Sequence, residues 1–77
     1  MREIYEQEAK QIIFAMKDTE DVTSYTLVNN WGVKFTKNGV KHDLRRWCNM
    51  YGVDLGWGID HKTNLTFGQA IDIIINL

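Results

Sequence analysis

The dipeptide Asn38-Gly39 constrains the fold of this chain more than any other feature of the sequence. A two-residue hairpin turn of type I′ needs positive φ at both central positions, and Asn followed by Gly adopts that backbone at little cost. Apolar and polar residues alternate on both sides of the dipeptide, which is typical of half-buried strands. The sequence therefore predicts a β-hairpin here, with Lys37 paired to Val40.

A weaker turn signal at Asn29-Asn30 extends the hairpin to a predicted three-stranded antiparallel meander over 22–42. With a two-residue turn at that point, Val28 would pair with Trp31. The strand period of two then places one apolar row on the face turned to the core: Val22, Val28, Trp31, Val33, Phe35 and Val40. The opposite face would carry Thr23, Tyr25, Leu27, Lys34, Thr36 and Lys41.

Helical spacing of apolar residues predicts an amphipathic helix over 2–17. Its apolar arc contains Met1, Tyr5, Ala9, Ile12, Ile13 and Met16. Phe14 falls outside this arc, beside Lys10. It is either a contact for a partner or a single exposed phenylalanine, which needs no functional explanation.

The segment after the meander is predicted to form a short basic helix over 44–51. Asp43 is a suitable N-cap, and Arg45 and Arg46 would lie on the outer side. Residues 53–59 then alternate between apolar and polar, which predicts an extended segment and a candidate fourth strand.

The last segment carries the capping-box pattern Thr66-Phe67-Gly68-Gln69, which predicts a helix over 67–77 that is apolar on most of its circumference. The β-branched isoleucines leave a strand over 70–77 as the alternative. With 77 residues, the chain has room for one small core. The sequence therefore predicts a single small α+β domain over 1–77.

Motifs for catalysis or cofactor binding are missing from this sequence. His42, Cys48, Asp60 and His61 have neither the spacing of metal ligands nor that of a catalytic pair, and the glycines match no phosphate-binding loop. We therefore expect no enzymatic activity, no metal and no cofactor.

The same sequence favours a cytoplasmic location. Cys48 is the only cysteine, so an internal disulfide is impossible and a buried, inert thiol is expected. The apolar run Ile73–Ile75 is far too short to span a bilayer, and residues 1–16 lack the pattern of a signal peptide.

The preferred functional hypothesis is a non-enzymatic protein-interaction module that forms a homodimer or binds another protein. A helix as apolar as 67–77 cannot be covered by one small sheet face, so Ile73 and Leu77 are expected on one exposed flank and Ile75 on the other. The dimer contact is expected at Ile73 and Leu77. Homodimers bury such flanks as a self-complementary patch, and Phe14 could join it.

The alternative hypothesis is nucleic-acid binding by the basic segment 34–46. Five of the nine Lys and Arg residues, but one of the ten acids, fall within residues 31–50. The contacts would be Lys34, Lys37, Lys41, Arg45 and Arg46, with Tyr25 as an aromatic platform. The pI near 6.0 and the acidic flanking segments argue against a dedicated nucleic-acid binder. A continuous basic stripe in the folded chain would favour this alternative, and interruption by acids would weaken it.

Overall fold

A five-stranded antiparallel sheet and two helices make up the described part of the chain, which confirms the predicted α+β class. The computed structural model describes the backbone of residues 2–28, 30–48, 51 and 54–77, and the side chains of residues 7–28, 30–46, 51 and 56–77. The elements are α1 (Arg2–Ala15), β1 (Thr19–Leu27), β2 (Asn30–Lys37), β3 (Val40–Cys48), β4 (Asp54–Ile59), β5 (Lys62–Leu65) and α2 (Phe67–Ile75).

The strands lie in the sheet in chain order, so β1 and β5 form its two edges. Helix α1 packs on β1 and β2, whereas α2 packs on β4 and β5. Both helices contribute to one core against the same face of the sheet. The buried apolar residues are Ala9, Ile13, Trp31, Val33, Phe35, Leu44, Trp57, Ile59, Ala70 and Ile74. We call the opposite face of the sheet the open face.

The Asn38-Gly39 turn is confirmed. Lys37 pairs with Val40, and the two turn residues have φ of 52° and 80°. Both angles are positive, as a type I′ turn requires.

The connection between β1 and β2 lies one residue earlier than predicted. Leu27 pairs with Asn30 and Thr26 with Trp31, so the predicted pair of Val28 with Trp31 is wrong. Each residue of β1 therefore pairs with the β2 residue two positions before the predicted partner. Because side chains alternate with a period of two, the predicted faces of β1 are unchanged. Val28 itself falls in the turn and is 92% exposed instead of lying in the core. Asn29 lies outside the described residues.

The predicted helix over 44–51 is wrong as far as the structure describes it, because β3 continues to Cys48. Leu44 is opposite Val33 on one side and Ile59 on the other, and it is fully buried. Ladder hydrogen bonds to two neighbouring strands outweigh the weak local preference for a helix. Residues 49 and 50 lie outside the described part, as do the side chains of residues 47 and 48.

The remaining elements agree more closely with the sequence. The candidate fourth strand is present as β4, and β5 was not predicted. Residues 67–75 are helical, which excludes the strand alternative there. The capping box is formed: Gln69 N donates to Thr66 Oγ1 at 3.1 Å, and Thr66 N donates to Gln69 Oε1 at 2.9 Å. Within the described residues, neither helix combines the length and hydropathy that a membrane crossing requires.

Candidate functional site

The open face gathers four of the six residues that the sequence suggested as anion contacts. Strand alternation and register bring them together from three strands. They are Tyr25 on β1, Lys34 on β2, and Lys41 and Arg45 on β3. The three cations are exposed and Tyr25 is half-buried. The nucleic-acid hypothesis therefore retains part of its predicted surface.

Tyr25 is held in one position on the open face by three neighbours. Its hydroxyl lies 3.0 Å from both carboxylate oxygens of Asp43 and donates its hydrogen bond to that carboxylate. The end of its ring lies over Gly32, where an added Cβ would come within 2.7 Å of three Tyr25 atoms. Lys34 Nζ lies 5.6 Å from the ring centroid. Tyr25 therefore reaches Asp43 only because residue 32 is a glycine and has no side chain.

Burial, followed by the hydrogen bond to Asp43 and the charge of that carboxylate, raises the pKa of Tyr25 to about 12. Arg45 acts in the opposite direction and lowers the pKa. The phenol is therefore neutral in ordinary buffers, and it donates to the carboxylate that lies among the three cations.

Acidic residues interrupt the cationic surface. Asp43 lies between Lys41 and Arg45 on β3, and Glu20 lies on the same face opposite Thr36. A shallow groove of about 520 Å³ on this side is lined by Asp21, Lys34, Phe35, Thr36, Lys41, His42, Asp43 and Asp60. The continuous basic stripe that would favour nucleic-acid binding is therefore not formed, which weakens that alternative.

The other two predicted contacts, Lys37 and Arg46, lie on the helix side of the sheet. Lys37 is 8% exposed, and its Nζ donates to the carbonyls of Ile74 at 2.7 Å and Ile75 at 3.1 Å. It thus places a cation at the C-terminal end of α2, where the helix dipole favours positive charge. The Arg46 guanidinium lies 5.6 Å from the ring centroid of Trp57. Neither residue adds charge to the open face.

A hydrogen-bonded pair at the β4–β5 turn was missed at the sequence level. His42 Nδ1 donates to Asp60 Oδ2 at 2.7 Å, and the backbone N–H of Asp43 donates to Asp60 Oδ1 at 3.2 Å. Asp60 has a φ of 54°, a left-handed conformation that aspartate tolerates better than most residues. Only the sheet register brings His42 and Asp60 together, so no local spacing could have indicated the pair. Its geometry indicates a structural role in fixing the turn.

The residues predicted for self-association occupy two separate surfaces. At the end of α2, Ile75 is 56% exposed and Ile73 is half-buried against the core, and Leu77, just after the helix, is 40% exposed. Ile73 and Leu77, but not Ile75, line a groove of about 340 Å³ together with Lys62, Asp72 and Asn76. Phe14 is 73% exposed on α1, in a groove of about 380 Å³ with Gln7, Lys10, Gln11 and Ala15. The two grooves share no residue.

Comparison with known proteins adds no candidate: no protein-family model, no curated protein and no solved structure matches this chain. Within the described residues, no three His, Cys, Asp or Glu side chains come together as ligands for a metal ion. The candidate sites are thus the open face, the exposed apolar residues of α2 and the flank of α1 that carries Phe14.

Proposed function

We propose that this protein is a non-enzymatic protein-interaction module that associates with a second copy of itself through the C-terminal end of α2. The observation that supports this most is the exposure of Ile75 and Leu77 in the final turns of the chain. Burial of an Ile or Leu side chain contributes about 1.5–3 kcal/mol. A self-complementary contact that covers these residues on both copies gains this contribution twice.

The apolar surface extends from α2 to the β2–β3 hairpin. Val40 is 56% exposed and pairs with Lys37, whose Nζ binds the carbonyl of Ile75. Lys37 thus ties the hairpin to the end of the helix. We call the apolar residues on both flanks of this helix end together the α2 surface, with Val40 and Ile75 on one flank and Ile73 and Leu77 on the other. Ile73 also packs on the core, so its substitution would disturb the monomer as well as the contact.

Sedimentation velocity over a range of micromolar concentrations tests this proposal. We expect the wild type to self-associate and Ile75→Asp to stay folded but to sediment as a smaller species, because an aspartate is tolerated at an exposed position but is costly inside an apolar contact. Thr63→Asp is the matched control, since it adds the same charge at an exposed position on β5 and should leave the assembly of the wild type unchanged. A wild type that sediments as a monomer at high micromolar concentration would refute the proposal.

Nucleic-acid binding by the open face is the second candidate. Its support is the common location of Tyr25, Lys34, Lys41 and Arg45 on one solvent-facing surface. With three cations on that face, log K should fall against log salt with a slope of about −2 to −3.

Oligonucleotide titrations at low salt test this second candidate. The triple variant Lys34→Ala, Lys41→Ala, Arg45→Ala should lose binding to single-stranded oligonucleotides. A variant with the same change in net charge, Lys10→Ala, Lys17→Ala, Lys62→Ala, should retain binding because these residues lie outside the open face. Equal loss in both variants, or no salt-dependent binding by the wild type, would remove this candidate.

A further inference from the structure

The two edges of the sheet differ in how well they are protected from pairing with another strand. β5 is four residues long, begins with Lys62, contains Asn64 at a φ of 59° and runs almost directly into α2. Short length, an edge lysine and local distortion are the features that discourage edge pairing. β1 is nine residues long, and of the strands that the structure describes only β2 pairs with it.

The second half of β1 has none of these protective features. A bulge with Asp21 at a φ of 56° lies between Glu20 and Thr23, so distortion and charge are confined to the start of the strand. The segment from Thr23 to Leu27 pairs regularly with β2 and contains no charge, no proline and no glycine. A regular, uncharged edge strand is a ready template for another strand.

An exposed apolar flank of α1 lies beside this edge. Because α1 packs on β1 and β2, one of its flanks faces the middle of the sheet and the other faces the free edge. Ile12 is half-buried and Phe14 is 73% exposed, and they lie on opposite sides of the buried residues Ala9 and Ile13. Because the flank over the middle of the sheet is the more covered one, we assign the more exposed flank, with Phe14, to the edge. Leu27, 57% exposed, adds a further apolar group at the end of β1.

We propose that β1 pairs antiparallel with β1 of a second copy, around a two-fold axis at Tyr25, to form a continuous ten-stranded sheet. The regular segment Thr23–Leu27 has Tyr25 at its centre, so full pairing places Thr23 opposite Leu27 of the second copy. The flanks of α1 that carry Phe14 then meet across the axis and add apolar burial to a five-residue pairing that would be marginal alone.

The charge distribution along β1 suits a second copy of the same chain. In this register, Glu20 and Asp21 lie opposite the β1–β2 turn of the other copy and far from its acids. No like charges therefore face each other along the paired strands. The contact is distinct from the α2 surface, because α1 and β1 occupy the other half of the sheet. A chain with both contacts assembles beyond a dimer.

A charge-swap experiment in an Ile75→Asp background tests the β1 contact without the α2 contact. Adding Thr23→Lys and Leu27→Lys places lysines opposite each other at both ends of the pairing. Adding Thr23→Glu and Leu27→Lys instead places opposite charges there. We expect the Ile75→Asp protein to be a dimer, the Lys/Lys variant to dissociate at least tenfold more readily, and the Glu/Lys variant to restore the dimer.

The matched control adds Thr63→Lys and Gly68→Lys, two exposed positions away from β1, and should remain a dimer. Circular dichroism confirms that each variant is folded, and Leu77→Asp can replace Ile75→Asp as the background. A monomeric background protein, or equal behaviour of the Lys/Lys and Glu/Lys variants, would overturn the β1 contact. Failure of the α2 proposal looks different: Ile75→Asp would then leave the assembly of the wild type unchanged.

Discussion

At the scale of single residues, Tyr25 links the open face to the stability of the fold. Its pKa is about 12 in the folded chain, against an ordinary value of 10.0. The folded state favours the neutral phenol, so the associated stability is present below pH 10.0 and is lost as the pH rises through about 12. The difference in tyrosinate absorbance between the wild type and Tyr25→Phe should therefore titrate near pH 12.

Two further substitutions test how much Asp43 contributes to this shift in the pKa of Tyr25. Asp43→Asn removes the carboxylate charge, so the pKa of Tyr25 should fall toward 10.0. Gly32→Ala should lower it as well, because the added Cβ would displace the phenol from Asp43. A Tyr25 that titrates near pH 10.0 in the wild type would contradict both expectations.

Lys37 shows what strand alternation could and could not predict about a single residue. The strand period that placed Val33 and Phe35 in the core also puts Lys37 on the core face. Because of its charge, Lys37 was nevertheless predicted to be an exposed contact for an anion. The deciding partner is the C-terminal end of α2, which the sequence of β2 does not reveal.

Lys37→Met keeps the aliphatic stem and removes both hydrogen bonds to α2. We expect it to lower the free energy of unfolding by about 1.5–3 kcal/mol, the usual contribution of hydrogen bonds to a charged group. Lys41→Met, on the open face, should change it by less than about 0.5 kcal/mol. Urea denaturation measures both values, and equal effects of the two substitutions would contradict the assigned role of Lys37.

At the scale of elements, short sequence motifs predicted the structure correctly where the interactions that stabilise it lie within a few residues. The turn at Asn38-Gly39 and the capping box at Thr66 are short motifs whose hydrogen bonds lie within a few residues, and both were predicted. The segment Leu44–Cys48 was not, because its structure is set by pairing with β2 and β4. Its spacing of apolar residues was compatible with a helix, and only the neighbouring strands decide against one.

Thr66→Ala tests how much the capping box contributes to α2. A nine-residue helix is too short to be stable alone, so loss of the cap should appear in unfolding of the whole domain. We expect the free energy of unfolding to fall by about 1 kcal/mol, within the usual range of about 0.5–2. Thr63→Ala removes the same hydroxyl from an exposed strand position and serves as the control. Equal losses in thermal or urea unfolding would show that the cap contributes nothing specific.

At the scale of the whole molecule, charge along the chain was a poor guide to charge on the surface. The basic segment 34–46 was predicted as one candidate surface, but two strands run through it and alternate between faces. Lys34, Lys41 and Arg45 therefore lie on the open face, while Lys37 and Arg46 lie on the helix side. The pairing register of β2 with β3 is needed to decide which of these residues lie on the open face. In the sequence, only the Asn38-Gly39 turn indicates that register.

The order of the strands also predicts how stability is distributed across the domain. β2 and β3 have a neighbour on each side and contain Trp31, Val33, Phe35 and Leu44, all at most 2% exposed. Their amides should exchange with solvent only through global unfolding, whereas the outward amides of the edge strand β1 should exchange much faster in dilute solution. Hydrogen exchange followed by nuclear magnetic resonance measures both sets.

Lys37→Met provides the internal check on this distribution. This substitution destabilises the whole domain, so it should speed hydrogen exchange of the slowest β2 and β3 amides. The expected increase is about tenfold for each 1.4 kcal/mol by which urea denaturation shows the free energy of unfolding to be lowered. The outward amides of β1 open locally, so the substitution should leave their rates unchanged. If the outward amides of β1 exchange as slowly as those of β2 in dilute monomer, β1 is not a free edge. The basis for its pairing with a second copy is then lost.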